Sequence, residues 1–501
     1  MNADGRDRNV TAEAVSAEIQ RRPHVFLQLA ENALTVAENL RGNYFHNTAR
    51  FIAALRQASR LAEAGRRAPV LRTFDARGLS WEDLRGEVVT FLDGGIGQVQ
   101  VASRVPILLR VGSYQVKTGE RNLAEREQFG YYPVILGDLE GGSKERKDFV
   151  DIVRITAELL GGLAALKRTP DLRVLMFHGP LVYLVGNYAG HTPFTEGDIN
   201  RFLESYAADA KQGRAMKEGF LHEAQMDMYP QMVPGRAHEL AERRLFEPLA
   251  WMAYLYRQLV AEARRRHPVP IIAGVVERGT LSEFSRSVLL DRVFQGLRGK
   301  GKVHYFNEMF GRSDLTTPDA LLNRLGYTDT LLLAMVLQPG EASEPWTMGK
   351  YAGLRDTTRE GTGMEVNGEA FKTPVDWSVL APPSPFGFPR VRGCYVCISE
   401  TTKPVRVEVF EELGDDQIVE AARRVCLYSA LLPGYGFPVG LDVADKYAKV
   451  PAWLTDAYAK LIRHHLGVSL QRGDVSDAEM RRLIVQAIYM THRDWIFRPD
   501  A

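Results

Sequence analysis

The apolar positions change period along the chain, and the changes divide it. Phe26, Leu29, Ala33, Leu34 and Val36 recur at helical spacing, and Phe51, Ala54, Leu55 and Leu61 open a second such series. Two or three helices are therefore predicted within residues 10–66, ended by Pro69 and by D-A-R-G at 75–78. From about residue 86 the period shortens. GEVVTFLDGG (86–95), VQVAS (99–103) and PILLRVGSYQV (106–116) are β-branched or alternating runs separated by glycines, which predicts a three-stranded antiparallel meander. YYPVILGDLEGG (131–142) would add a fourth strand and a turn. Helical spacing returns in DFVDIVRITAELLGGLAALK (148–167), where Phe149, Ile152, Thr156, Leu159, Leu163 and Leu166 share a face.

Two short unbroken apolar runs follow, RVLMFHGPL (173–181) and PIIAGVVERG (270–279). Such runs suit central strands buried on both faces. Helices are expected at 196–213, 236–266 and 281–297, and DTLLLAMVL (329–337) reads as another strand. Residues 338–390 are rich in Pro, Gly, Ser and Thr and read as long loops with short strands. GCYVCISE (393–400) and PVRVEVFEE (404–412) form a hairpin-like pair, and helices are expected at 415–431, 441–450, 452–466 and 476–491. The order implies an α/β fold, a mixed sheet with an antiparallel part and helices on its faces. The expected organisation is a helical extension (1–70), a main domain (71–470, with 338–390 as a loop-rich insertion) and a helical tail (471–501).

Composition narrows the class. The chain has 501 residues, 45% hydrophobic and 25% charged, and its 63 basic against 62 acidic residues leave a net charge of +1. That balance excludes a protein that holds nucleic acid by bulk charge, though not a local basic groove. Three cysteines cannot build a disulfide framework, which points to a reducing compartment. The start, MNADGRDRNV, lacks the apolar segment of a signal peptide, and no run of eighteen apolar residues occurs, so a cytoplasmic protein with no membrane partner is expected.

Five residues carry candidate chemistry. Asp93 precedes two glycines at the end of a strand-like run; it is either a ligand-facing carboxylate or an Asp-Gly turn. Glu158 is the one charged residue between Ile155 and Leu166; it either pairs with Arg154 on a solvated face or points into a cavity. His178 closes a buried strand, where α/β sheets place their crevices, and is either a metal ligand or a satisfied buried imidazole. Asp445 sits with Leu441, Ala444 and Ala448 on the apolar face of a helix, while Asp442, Lys446 and Lys449 read as its solvated side. A carboxylate there needs an ion, a cation or a hydrogen-bond donor. Tyr435, just before that helix, has a phenol that either contacts phosphate or packs. Cys394 and Cys397 have no second pair and do not read as a zinc site; Walker A, G-x-S-x-G and H-E-x-x-H sequences are absent.

Together these pieces resemble the NurA nuclease family, over roughly 86–470 and most clearly at VVTFLDGGIG (88–97), RVLMFHGPL (173–181), PIIAGVVERG (270–279) and YGFPVGLDVADKYAKV (435–450). The resemblance implies an RNase H-like sheet and metal-dependent DNA hydrolysis with two Mn²⁺ or Mg²⁺ ions. It implies metal ligation by Asp93, Glu158, His178 and Asp445, with Asp93, Glu158 and Tyr435 as catalytic residues. It further implies a homodimer that works on DNA with a HerA-like hexameric ATPase, in DNA end processing or anti-phage defence. Two positions depart from the family pattern: His178 stands where an Asp is usual, and Asp445 where a His is usual. The same ligand types with exchanged positions, or a subunit that binds DNA without cutting it, both account for this. D-G-G-I-G at 93–97 also resembles the phosphate loop of actin-like ATPases, which provides a third reading.

Overall fold

The computed structural model describes residues 12–63, 70–98, 107–136, 143–182, 248–298, 304–348, 363–366, 369–372 and 389–489. The expected helix at 196–213 and the run 99–103 lie outside them.

The chain divides into two compact units. The first comprises Met1–Leu71 and Leu289–Gly326 and is helical among its described residues. Phe51 meets Phe306 and Phe310 edge-on, and Tyr44 donates its hydroxyl hydrogen to the Leu325 carbonyl, so side chains from both segments close this unit.

The second unit comprises Arg72–Val288 and Tyr327–Ala501. Its strands are β1 (Thr73–Asp75), β2 (Val88–Gln98), β3 (Ile107–Lys117), β4 (Glu127–Leu136), β5 (Leu172–His178), β6 (Ile271–Val276), β7 (Glu341–Ser343), β8 (Trp346–Thr347), β9 (Gly363–Val366), β10 (Glu369–Lys372), β11 (Val391–Val396) and β12 (Val405–Phe410). Ten form one sheet in the order β1-β7-β11-β12-β6-β5-β2-β3-β4, with β8 beside β11, and β9 pairs with β10 separately. β5 runs parallel to β2 and β6, and the other pairings are antiparallel, so the sheet is mixed as expected. Helices α1 (Ser143–Arg168) and α2 (Pro248–Arg264) pack together, with α1 against β2. Helices α3 (Gln417–Ser429) and α4 (Val439–Ala448) join the core formed by Phe91, Val174, Met176, Val275 and Val407, through Ala421, Val425, Leu441 and Ala444. Helix α5 (Ala452–Arg472) follows α4. β6 is buried at every position, which is why its sequence reads as an unbroken apolar run, and β12 is buried throughout as well, with its two charges, Arg406 and Glu408, paired to each other.

Three details differ from the sequence reading. β2 continues through Asp93 to Gln98, paired with β3 throughout, so Asp93 lies inside a strand and not at a strand end or hairpin turn. The third strand of the meander is Glu127–Leu136, within which the fourth expected run begins. Residues Asp329–Val336 are a helix and not a strand. Leu332 and Leu333 are both buried, and a short helix buried on more than one side has the same unbroken apolar signature as a buried strand.

Candidate metal centre

Each candidate residue is placed by a different element. β2 presents Asp93, 6% exposed, and the neighbouring parallel strand β5 ends at His178. The imidazole Nδ1 lies 3.1 Å from Asp93 Oδ2. Beyond His178 the chain turns, and the turn is pinned where Leu181 N–H donates to the buried Glu408 carboxylate at 2.8 Å. Glu408 is balanced in turn by Arg406 at 2.8 Å.

Helix α4 supplies Asp445. It approaches the sheet closely because β2 and β3 carry glycine beneath it: a Cβ on Gly95 would stand 2.1 Å from the Ala448 carbonyl oxygen, and one on Gly112 2.4 Å from that of Ala444. The glycines after Asp93 therefore admit a helix and do not form a loop. D-G-G-I-G is extended strand and has no turn with which to wrap a phosphate, which removes the structural basis of the actin-like reading.

Asp93, His178 and Asp445 each offer a donor atom, and these atoms lie within 4.8 Å of one another. They line a cleft of about 540 Å³ with Arg154, Gly179, Val276, Glu277, Arg278, Tyr435, Phe437, Asp442 and Lys449. Phe437 is 1% exposed and meets the His178 ring edge-on at 5.2 Å, fixing its plane. Tyr435 lies at the rim, 44% exposed, with its hydroxyl 3.4 Å from Asp442 Oδ1.

Glu158 occupies a different position. It is 3% exposed, its Arg154 partner is 2.5 Å away, and its carboxylate lies against Gly94. The anticipated i,i+4 pair is thus present but buried, and Glu158 is not among the residues lining the cleft. Burial pushes its pKa up to about 7 against the pull of Arg154, and the nearby Asp93 charge adds to the rise. Burial works to lower the pKa of His178, but the hydrogen bond and charge of Asp93, with Asp445 and Glu158, leave it raised. Desolvation lifts Tyr435 to about 12, so the phenol remains a hydrogen-bond donor at neutral pH.

The assignment of faces on α4 needs correction. Lys449 does not stand on the far side from Asp445; its ammonium is 2.5 Å from Asp445 Oδ2, and Lys446 pairs with Asp442 at 2.7 Å. Residues four apart on a helix share a side, so the two pairs run in parallel. Asp442 also lines the cleft. Sequence reasoning overlooked Glu277 and Arg278, although the argument applied to His178 also locates them: they follow β6, the parallel neighbour of β5, at the same end of the sheet.

A family model for the NurA domain matches residues 87–450. No curated protein matches. Solved structures match over most of their length with low identity. The NurA nuclease of Sulfolobus solfataricus aligns at TM-score 0.47 and 11% identity, covering 87% of this chain and 98% of that chain. A NurA with manganese aligns at TM-score 0.39 and 11% identity, covering 86% and 96%. A NurA bound to dAMP and manganese aligns at TM-score 0.30 and 13% identity, covering 87% and 94%. Among the described residues, no helix is long and apolar enough to cross a membrane.

Proposed function

The chain belongs to the NurA family, and from that premise we propose that it hydrolyses DNA phosphodiester bonds using divalent cations held by Asp93, His178 and Asp445. The observation that carries the proposal is the meeting of these three donors, from two strands and a helix, on one cleft wall. The donors fit a small divalent ion. Adjacent ligands of an octahedral ion with bonds of about 2.1 Å are about 3.0 Å apart, and Asp93 Oδ2 and His178 Nδ1 are 3.1 Å apart. Two carboxylates with one imidazole suit Mn²⁺ better than Mg²⁺.

A divalent ion bound there would neutralise charge on the phosphate and acidify water. The chain's own groups do the rest. Asp93 is held against His178 and fixes the imidazole edge. Glu158, with a pKa near neutrality, is suited to hold a proton or release it beside Asp93. Tyr435, at the rim, would offer its hydroxyl hydrogen to a phosphate oxygen. His178 and Asp445 occupy exchanged positions relative to the family pattern, and their donor atoms close on the same point, which supports retention of the ligand set. The expected setting is a homodimer that receives DNA from a HerA-like hexameric ATPase.

The test is Mn²⁺-dependent degradation of single-stranded and duplex DNA, by the protein alone and with the ATPase. Wild type is expected to cut and Asp93→Asn to lose at least about 10²-fold in rate. Equal cutting by Asp93→Asn refutes the site. No cutting by wild type in either setting refutes the nuclease reading and leaves a DNA-binding subunit.

A further inference from the structure

The carboxylates that helices bring to this region each carry a cation one turn away. On α1, Arg154 holds Glu158 at 2.5 Å; on α4, Lys449 holds Asp445 at 2.5 Å. Both cations line the cleft. The backbone of Lys449 is fixed, because its N–H donates to the Asp445 carbonyl at 3.0 Å and its carbonyl accepts from Arg110 at 3.4 Å. Its side chain is not fixed in the same way: it is 67% exposed, and its ammonium reaches out to Asp445 Oδ2.

Lys449 therefore stands where an ion would compete with it. Asp445 Oδ2 cannot give its best lone pair to an ammonium at 2.5 Å and to a divalent ion at the same time. We propose that Lys449 serves as an exchangeable counter-ion: it neutralises Asp445 in the metal-free protein, and on metal binding it is released to the substrate phosphate. This rests on the nuclease reading for its second half alone. The displaced ammonium is tethered beside the cleft, where a DNA backbone phosphate entering would compete for it with Asp442 and Asp93. Metal and DNA binding are then coupled, each favouring the arrangement that the other needs. A lysine suits the exchange, since its charge sits at the end of a flexible stem and makes no fixed bidentate pair.

The experiment compares wild type, Lys449→Met and Lys449→Arg. Calorimetric Mn²⁺ titration without DNA is the first readout. Lys449→Met is expected to bind Mn²⁺ about five- to ten-fold more tightly, because a competing positive charge is gone. A merely structural lysine would leave affinity unchanged or weaken it. The second readout is steady-state cleavage of an oligonucleotide. In Lys449→Met the KM is expected to rise about ten-fold, and the slope of log KM against log salt to fall by about 0.7–0.9, the equivalent of one phosphate contact. Lys449→Arg keeps the charge but can grip Asp445 bidentately, so it should lose the tighter Mn²⁺ binding of Lys449→Met while keeping the salt slope near that of wild type. Unchanged or weaker Mn²⁺ binding in Lys449→Met overturns the proposal, and so does an unchanged KM. Failure of wild type to cut DNA sinks the nuclease reading instead, because the Mn²⁺ comparison needs no DNA.

Discussion

Gly95→Ala adds one methyl group at a place where the backbone of α4 is already in contact with the sheet. The new Cβ would lie 2.1 Å from the Ala448 carbonyl oxygen, 2.7 Å from its carbonyl carbon and 3.2 Å from Lys449 N. Ordinary contact begins near 3.4 Å, and the obstructing atoms are backbone, so the end of α4 must retreat by roughly 1 Å. Asp445 lies one turn before Ala448 and moves with it, away from Asp93 and His178. A misplacement of that size costs about 10²-fold in rate, and overpacking costs about 1–3 kcal/mol of stability. The assay is Mn²⁺ affinity by calorimetry and stability by urea unfolding, followed by nuclease rate at saturating Mn²⁺. Gly112→Ala should act in the same direction, since its Cβ would stand 2.4 Å from the Ala444 carbonyl oxygen. Gly94→Ala is the contrast: its Cβ would meet the side chains of Glu158 and Arg154 on α1 and not the backbone of α4, so Asp445 is not displaced and Mn²⁺ affinity should fall less than in Gly95→Ala. If Gly95→Ala folds within about 1 kcal/mol of wild type and binds Mn²⁺ equally well, close helix approach does not set the site.

Glu158 gives a pH prediction for the metal-free protein. Its pKa is raised by burial from 4.5 to about 7, so its contribution to stability is fully present below 4.5 and is lost as pH rises through 7; the size is roughly 3 kcal/mol. Urea unfolding in chelator at pH 4.5 and pH 8 should show Glu158→Gln losing less stability across that interval than wild type, by about that amount, and equal losses would refute the shift. For the exchanged ligands, His178→Asp and Asp445→His should each weaken Mn²⁺ binding, while the double variant should bind more tightly than either. A double variant no better than its worse parent would mean that the two side chains do not share an ion.

The architecture was legible where the polypeptide obeys a single period. β6 and β12 fall within the runs that predicted them, β5, α4 and β11 overlap theirs but start one or two residues earlier, and His178 ends its strand as expected. What the pattern concealed has a physical cause in each case. Asp93 followed by two glycines is locally a turn signal; only the distant helix reveals that the glycines serve a backbone contact, with Gly95 facing Ala448 across more than three hundred residues. The helix Asp329–Val336 is held by tertiary groups that no local window contains: the Asp329 carboxylate accepts from Phe284 and Ser285 N–H and from the Tyr395 hydroxyl. The face of α4 was misjudged because Asp445 was sorted with its apolar neighbours and not with the lysine one turn on. Glu277 and Arg278 went unnoticed because a run that ends in two charges reads as a strand leaving the core, whereas here it enters a cleft.

The near-neutral whole chain is a poor guide to how DNA would meet the proposed site, and the local balance is a better one. Asp93, Glu277, Asp442 and Asp445 face Arg154, Arg278 and Lys449 in the cleft, four carboxylates against three cations, a formal charge of −1 with the imidazole neutral. A polyanion entering this cleft without metal meets repulsion and cations already engaged with Glu158 and Asp445. One divalent ion would raise this formal balance by two and, on the proposal above, take Asp445 from Lys449 at the same moment. Metal would thereby lessen the repulsion and free a phosphate ligand, while the rest of the surface, with the chain's 63 basic and 62 acidic residues nearly in balance, contributes little beyond a Debye length of about 8 Å. The cleft, and not the composition, thus predicts weak DNA binding by the metal-free protein that Mn²⁺ strengthens, which a DNA titration with and without Mn²⁺ checks.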